Sequence, residues 1–250
     1  MKKLINDPEA FVDESLEGIL AAHGDRLRAV GGDLRAIVDA EAPRKDRVAI
    51  VTGGGFGHLP TFVGYVGSGL CSGAAVGNVF SSPSAEQVLA VTREVHGGAG
   101  VLYLYGNYGG DVFNFDLAAE AAESEGIEVK TILVADDVAS APRERRDERR
   151  GVAGLALAYK VAGAAAAEGA SLAEVAEVTD LAIASMSTMG VGLSPTVLPA
   201  AGQPTFTLED GEMEIGIGMH GERGVRRAPL EPADQVTDEI FERTLPEETY

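Results

Sequence analysis

Short apolar runs alternate with glycine turns and amphipathic stretches over the first three quarters of the chain. Val48–Val51 is continuously apolar, as expected for a central strand of a parallel sheet that is buried on both faces. Further strand-like runs occupy Ala74–Val79, Val101–Tyr105 and Ile127–Val134. Because helical patterns lie between these runs, the sequence predicts an α/β domain with a mainly parallel sheet flanked by helices.

Polar residues mark where the helices are expected to begin. Asp7 is the predicted N-cap of a first helix over residues 8–22, whose apolar residues recur at helical spacing. Ser82, directly before Pro83, is the predicted start of a second helix. Later helices are predicted from residue 112 to about 126 and over roughly 154–169 and 172–189.

The pattern changes in the last quarter of the chain. Phe206–Glu209 and Glu212–Met219 flank Asp210-Gly211, a dipeptide typical of β-hairpin turns. We therefore expect an N-terminal α/β domain over residues 1–189 and the start of a second, α+β domain over residues 190–250. Only about 60 residues remain for this second domain, so it is expected to be incomplete.

Composition excludes several classes of partner. Acidic residues number 39 against 20 basic ones, and the resulting charge of −19 disfavours binding to nucleic acid. The longest apolar stretch, residues 154–167, is interrupted by Lys160, and the N-terminus lacks the apolar run of a signal peptide. We therefore expect a cytoplasmic protein without a membrane segment. Cys71, the single cysteine, is predicted to be a small core residue.

Candidate chemistry lies where the predicted strands end. Glycine is the compositional outlier, with 32 of 250 residues, and Gly53–His58 follows the first buried strand. A glycine turn lets the backbone approach a small ligand, and a helix expected after it favours negative charge there. Asp111 follows another strand, so the carboxyl edge of the sheet is expected to bring this turn, Ser82 and Asp111 into one crevice.

Each candidate also has a structural interpretation. His58 suits a hydrogen bond to the backbone as well as it suits catalysis, and helix capping is the favoured local interpretation of Asp111 and Ser82. His220, beside Gly221 at a strand end, is a potential nucleophile or base, or else a solvated turn residue. No motif for a metal site held by protein ligands is present.

Six segments, taken in order along the chain, resemble the ketose-binding subunit of dihydroxyacetone kinases. They are Met1–Asp7, Gly53–Pro60, Phe80–Pro83, Asn107–Asp111, Arg149–Gly151 and Gly218–Glu222. The resemblance spans the whole chain and implies a cytoplasmic phosphotransferase that acts on an alcohol group.

The resemblance also implies the roles of particular residues. Family members hold dihydroxyacetone as a covalent hemiaminal on a histidine, which corresponds to His220. His58 and Asp111 correspond to the acid/base pair near the hydroxyl that is phosphorylated. The remaining substrate-contact positions correspond to Gly55, Phe56, Gly57, Ser82 and Gly106.

The resemblance implies partners as well. No nucleotide is expected on this chain, because ADP or ATP with magnesium is carried by a separate kinase subunit. In one branch of the family, the phosphoenolpyruvate phosphotransferase system recharges that subunit. A homodimer is also implied. The loop Arg143–Arg150 is predicted to be solvated, with docking of an acidic partner as the alternative.

Two positions depart from the family pattern. Gly106 replaces a usual lysine, and Phe56 replaces a common serine or threonine. These changes alter the shape and polarity of the pocket, which leaves a four-carbon ketose such as erythrulose open as the substrate. A regulatory module that senses ketose without phosphoryl transfer is the alternative from another functional class.

Overall fold

The structure is a computed structural model that describes residues 3–245. The first two residues of the segment Met1–Asp7 and residues 246–250 of the predicted second domain lie outside the described residues. The strands are β1 (Leu27–Val30), β2 (Asp33–Asp39), β3 (Ala49–Phe56), β4 (Gly73–Val79), β5 (Val101–Gly106), β6 (Val129–Val134), β7 (Val191–Gly192), β8 (Glu212–Ile215) and β9 (Arg226–Pro229). The α-helices are α1 (Phe11–Ala22), α2 (Ala85–Val95), α3 (Gly109–Ser124), α4 (Gly154–Ala167), α5 (Leu172–Ala184) and α6 (Ala233–Thr244).

The larger sheet has six strands in the order β1-β2-β4-β3-β5-β6. β3 pairs in parallel with β4 and β5, and β5 pairs in parallel with β6, which confirms the mainly parallel sheet. The antiparallel hairpin β1–β2 at one edge was not predicted. Its turn contains Gly31 and Gly32, both with positive φ. This glycine pair is the sequence feature that could have predicted the hairpin.

Two apolar cores cover the two faces of this sheet. α1, α4 and α5 pack on one face, and α2 and α3 pack on the other. All eight residues of β3 are buried, which confirms the predicted central strand. Cys71 is fully buried in the first core, as predicted. No helix in the described range is long and apolar enough to cross a membrane.

The glycines after Thr52 belong to a strand and not to a turn. A Cβ atom at Gly54 would lie 2.3 Å from the ring of Phe62, and one at Gly53 would lie 2.5 Å from the carbonyl oxygen of Ala75. Glycine is required here because β3 is closely covered on both sides. The helix expected next is also absent, since the described chain continues into a short 3-10 turn at Val63–Tyr65.

Two predicted helix starts are corrected. Asp7 accepts a hydrogen bond from the backbone N–H of Glu9 in a preceding turn, and α1 begins only at Phe11. Ser84, not Ser82, caps α2: its hydroxyl accepts from the N–H of Gln87, and the Gln87 side chain accepts from the N–H of Ser84. This reciprocal capping box satisfies two donors, which a cap at Ser82 would leave unpaired.

The last quarter of the described chain forms the antiparallel sheet β7-β8-β9. It begins at Val191, next to the predicted boundary, while the division into two domains stays a prediction. The predicted hairpin at Asp210-Gly211 is wrong, because β8 pairs with β9 and residues 206–209 form no strand. We call the connection between β8 and β9, residues 216–225, the His220 loop.

Gly163 of α4 provides a test of how tightly this helix packs against the segment that precedes β4. A Cβ atom there would lie 2.4 Å from the backbone of Gly69, so Gly163→Ala should lower the free energy of unfolding by about 1–3 kcal/mol. The exposed Gly18 of α1 has no atom within 4 Å of its Cβ position, and Gly18→Ala should raise stability by about 0.5–1 kcal/mol. Urea denaturation of both variants measures the difference. A gain in stability from Gly163→Ala would contradict the packing.

Candidate active site

The candidate site lies at the carboxyl ends of the parallel strands, as expected for an open α/β sheet. His58 follows β3, Phe80 follows β4, and Tyr108 follows β5. The His220 loop of the smaller sheet reaches this edge and adds His220 itself. Residues 162 positions apart in sequence therefore meet in one site.

Two histidines form the centre of the site. The Nε2 atoms of His58 and His220 are 3.1 Å apart, at hydrogen-bonding distance. The His58 ring stacks on Phe80 with 4.7 Å between centroids, and Tyr108 meets the His220 ring edge-on at 4.9 Å. His58 thus bonds to a side chain and not to the backbone, and His220 is a packed residue with 26% of its side chain exposed, not a solvated one.

Glu222 defines which nitrogen of His220 carries the proton. The Nδ1 atom of His220 is 2.9 Å from Oε1 of Glu222, and the backbone N–H of His220 donates to Oε2 at 2.8 Å. A carboxylate only accepts hydrogen bonds, so Nδ1 of the neutral ring must be the donor. The Nε2 atom of His220 then carries no proton, and its lone pair accepts the hydrogen bond that His58 donates.

The environment of His58 keeps its ring uncharged near neutral pH. Burial, followed by the proximity of His220, lowers the pKa of His58 to about 4, while Glu222 acts in the opposite direction. A neutral His58 is consistent with donation from its Nε2–H to His220.

Asp111 lies in the first turn of α3 and does not cap it, because Tyr108 precedes the helix. Burial raises the pKa of Asp111 to about 6, against the opposing effects of a Ser82 hydrogen bond and of His220. Its Oδ1 atom is buried without a hydrogen-bond partner among the described residues. The expected crevice therefore brings together Ser82 and Asp111, and Asp111 lies three positions after Tyr108, whose ring contacts His220.

The other predicted substrate contacts differ in position. Gly55 lies against the backbone of the next segment, since a Cβ atom there would be 2.7 Å from the nitrogen of Ser81. Gly57 adopts a φ of 107°, which a larger residue would strain. The Phe56 ring is buried in the core, edge-on to Phe11 at 5.8 Å. The assignment of these residues to substrate binding stays a prediction.

Gly106 is closely covered by its neighbours. A Cβ atom there would lie 3.1 Å from the Tyr108 ring and 3.1 Å from the carbonyl oxygen of Gly151. Any side chain at position 106, including the lysine that the resemblance leads us to expect there, would require Tyr108 or the backbone near Gly151 to shift.

Two aromatic residues near His58 have strained backbones. Phe62 and Phe80 adopt φ angles of 67° and 58°, which side chains with a Cβ atom rarely do. Both rings contact the His58 ring, at 6.4 and 4.7 Å between centroids. Strain of this kind is concentrated at functional sites, where the surrounding structure maintains it.

The prediction that the loop over residues 143–150 is solvated is wrong at the C-terminal end of the loop. Arg149 is fully buried, and its Nε donates to the carbonyl oxygen of Ala141. Arg150 is only 15% exposed and forms an ion pair with Asp137 at 2.8 Å. The sequence pattern missed this because charge runs are usually solvated, and only the fold brings Asp137 alongside.

Sequence reasoning from the residues also gave no role to Tyr108, Phe80 or Glu222. Tyr108 and Phe80 lie within the segments that resemble the kinase subunits, so their positions beside the candidate residues were the available signal. Glu222 is two positions from His220, but its contact with the ring depends on the loop conformation. Among residues 3–245, no group of three or more His, Cys, Asp or Glu side chains is placed to hold a metal ion.

A family model described as the Dak1 domain matches residues 17–250, nearly the whole chain. The chain belongs to the Dak1 domain family. It is 45% identical over 96% of its length to a PTS-dependent dihydroxyacetone kinase dihydroxyacetone-binding subunit from Listeria innocua, and spans 72% of that protein. It is also 46% identical over 93% of its length to a D-erythrulose kinase from Mycolicibacterium smegmatis, of which it spans 40%.

Solved structures support the same assignment. The dihydroxyacetone kinase of C. freundii matches 99% of this Dak1 chain with a TM-score of 0.89 and 33% identity. The chain spans 46% of that protein. The α/β fold and the resemblance to dihydroxyacetone kinases are both confirmed.

The raised pKa of Asp111 predicts a stability effect that depends on pH. Because the carboxyl ionises less readily when folded, it lowers stability as pH rises from about 4 to about 6, and this cost persists above that range. Asp111→Asn should therefore raise the free energy of unfolding by roughly 1–3 kcal/mol at pH 7.5. The gain should shrink as pH falls through 6 towards 4.

Urea denaturation at several pH values measures this effect. Asp116→Asn, on an exposed position of the same helix, is the matched control and should change stability little at any pH. An equal gain from Asp111→Asn at pH 4 and 7.5 would contradict the burial of a charged carboxylate.

Proposed function

We propose that this Dak1 chain is the ketose-binding, catalytic part of a dihydroxyacetone kinase, and that it holds its substrate as a hemiaminal on His220. The observation that carries the proposal is the position of the His220 ring, whose Nε2 lies 3.1 Å from His58 and whose Nδ1 lies 2.9 Å from Glu222. Asp111 lies in the first turn of α3, which directly follows Tyr108, whose ring contacts His220. A nucleophile and a candidate base therefore lie in one site.

The proposed covalent step uses only groups of this site and the ketose. The Nε2 lone pair of His220 attacks the carbonyl carbon, the C=O π pair moves to the oxygen, and this oxygen takes a proton from solvent. The ring then bears a positive charge, with its Nδ1–H still facing Glu222. Glycerol has no carbonyl carbon to attack, so this step selects ketoses over simple polyols.

Asp111 is the proposed base for phosphoryl transfer. Its pKa of about 6 leaves it ionised at neutral pH while making it a stronger base than an exposed aspartate. Accepting the proton of the ketose hydroxyl as phosphate transfers is typically worth about 10² to 10⁴ in rate. The unpartnered Oδ1 atom supports this role because a substrate hydroxyl would satisfy it.

The phosphoryl donor is proposed to come from a second protein. ADP or ATP with magnesium is assigned to a nucleotide-binding kinase subunit, and this chain is assigned no nucleotide. The Listeria relative is named as PTS-dependent, which supports a donor recharged from phosphoenolpyruvate. The proposal includes a homodimer in the cytoplasm.

A four-carbon ketose is the second candidate substrate. The Mycolicibacterium relative, at 46% identity, is named a D-erythrulose kinase, and Gly106 lacks the lysine usual at that position. A ketose with one more hydroxymethyl group would require space on one side of the carbonyl. Glycine at position 106 carries no cation, and the Tyr108 ring lies against it, so the shape and polarity of the site here differ from those that the family pattern implies.

A test of the adduct uses dihydroxyacetone labelled with ¹³C at its carbonyl. The wild-type protein should move the carbonyl signal to the region of tetrahedral carbon, and native mass spectrometry should show one ketose per chain. His220→Ala should abolish both signals because it removes the nucleophile. His23→Ala, at the exposed C-terminal end of α1, is the control and should retain them. An adduct that persists in His220→Ala would refute the assignment.

Substrate and reaction are tested with the nucleotide-bearing subunit present. Phosphorylation rates are compared for dihydroxyacetone, D-erythrulose and L-erythrulose. A higher kcat/KM for dihydroxyacetone supports the main proposal, and a higher value for either erythrulose supports the second candidate. Adduct formation without phosphorylation of any ketose would favour a sensing module over an enzyme.

A further inference from the structure

The Nδ1 side of the His220 ring faces a chain of charged groups that the proposed reaction does not by itself require. Glu222 contacts the ring, Arg150 lies next to Glu222, and Asp137 binds Arg150. We infer that Glu222, supported by Arg150 and Asp137, is a positioning residue that holds His220 in its nucleophilic tautomer and stabilises the positive charge of the adduct. This inference rests on the function proposed above.

The loop conformation brings Glu222 to the ring. The backbone N–H of Gly218 donates to the carbonyl oxygen of Glu222 at 2.9 Å, and that of Gly221 donates to Gly218 at 3.0 Å. Gly221 has a φ of 92°, which this tight turn requires. Both carboxylate oxygens of Glu222 are then used, one by the ring and one by the backbone of His220. The ring is therefore fixed in orientation as well as in protonation.

A glycine keeps the space that the carboxylate occupies. A Cβ atom at Gly218 would lie 2.2 Å from Oε2 of Glu222 and 2.3 Å from a guanidinium nitrogen of Arg150. Any other residue at position 218 would push the carboxylate or the guanidinium away. Glycine at position 218 thus allows the Glu222 and Arg150 side chains to approach the backbone of the loop.

Arg150 connects the loop to the larger sheet. Its guanidinium lies 3.9 Å from Oε2 of Glu222, and it binds Oδ2 of Asp137 through Nη2 at 2.8 Å and through Nε at 3.0 Å. Asp137 is 1% exposed and follows the end of β6. Because the paired side chains are largely buried, they give Arg150 a fixed position from which to hold the carboxylate.

The charge of Glu222 persists over the working pH range. Burial alone raises the pKa of Glu222, but hydrogen bonds from the ring and backbone of His220 outweigh this and lower it to about 2. A free imidazole favours a proton on Nε2, where it would block the lone pair. The carboxylate reverses this preference because only the Nδ1–H tautomer can donate to it.

The same contact acts on the adduct. When Nε2 forms its bond to the carbonyl carbon, the ring gains one positive charge, and the anion 2.9 Å from Nδ1 offsets it. Glu222→Ala should therefore weaken the adduct in addition to freeing the tautomer. By analogy with carboxylates that orient histidine ligands, the rate and affinity of adduct formation should fall roughly 10- to 100-fold.

Two variants separate orientation from charge. In Glu222→Gln the single amide oxygen serves either Nδ1–H or the backbone N–H of His220, so the tautomer should be kept in part while the adduct weakens because the charge is lost. In Glu222→Ala both the tautomer and the adduct should change. Asp39→Asn is the matched control: Asp39 is a buried carboxylate at the end of β2 that accepts from the N–H of Glu41 and from Arg44, and neither partner belongs to the His220 loop.

The experiment combines two readouts on the unliganded and ketose-bound protein. Two-dimensional ¹⁵N spectra identify which ring nitrogen of His220 is protonated, and ¹³C-labelled dihydroxyacetone reports the adduct. An Nδ1–H ring in the wild type that becomes mixed in Glu222→Ala, with a weakened adduct, supports the inference. An unchanged tautomer and adduct in Glu222→Ala would overturn it, as would an equal loss in Asp39→Asn.

If the proposed function is wrong, the same experiment gives a different result. In that case the wild-type protein itself forms no adduct with the labelled ketose. The tautomer of the unliganded ring does not depend on the ketose, so it still decides whether Glu222 positions His220.

Discussion

The contact between the imidazoles of His58 and His220 is the interaction on which the site depends. One ring follows β3 of the larger sheet and the other lies on a loop of the smaller sheet, and their Nε2 atoms are 3.1 Å apart. If the loop moved by a few ångströms, this contact between the two rings would be lost. The smaller sheet and the ion pairs behind the loop therefore fix the distance between the rings.

The site separates its ionisable groups by environment. Glu222 keeps its charge because several donors contact it, and His58 is uncharged because it is buried beside another imidazole. Burial raises the pKa of Asp111 to about 6. One anion, one neutral donor and one moderate base result from three local settings. This division suits a reaction that needs a nucleophile at one carbon and a base at a neighbouring hydroxyl.

Membership of the Dak1 family indicates the type of reaction more clearly than it indicates which ketose is the substrate. Relatives at 45% and 46% identity are named for a three-carbon and a four-carbon ketose. The groups proposed to act on the carbonyl carbon and its neighbouring hydroxyl are compatible with both. Discrimination would then come from residues at the margin of the site, such as Gly106, where the Tyr108 ring lies in close contact.

The sequence by itself determined the order of the parallel strands β3 to β6 with α2 and α3 between them, the buried central strand and the residues worth testing. Continuous apolar runs are enough for this, because burial on both faces excludes polar side chains locally. The resemblance implied roles for His220, His58 and Asp111, whereas residue patterns alone left the two histidines undecided and favoured helix capping for Asp111.

Only the tertiary structure decided how these residues act. Gly53 and Gly54 lie in a strand because the Phe62 ring and the neighbouring strand cover them, and a glycine run has the same sequence pattern in a turn. The tautomer of His220, the burial of Asp111 and the pairing of Arg150 depend on groups that lie far apart along the chain. Local sequence cannot specify them, since each is set by distance and solvent exclusion that arise when the chain has folded.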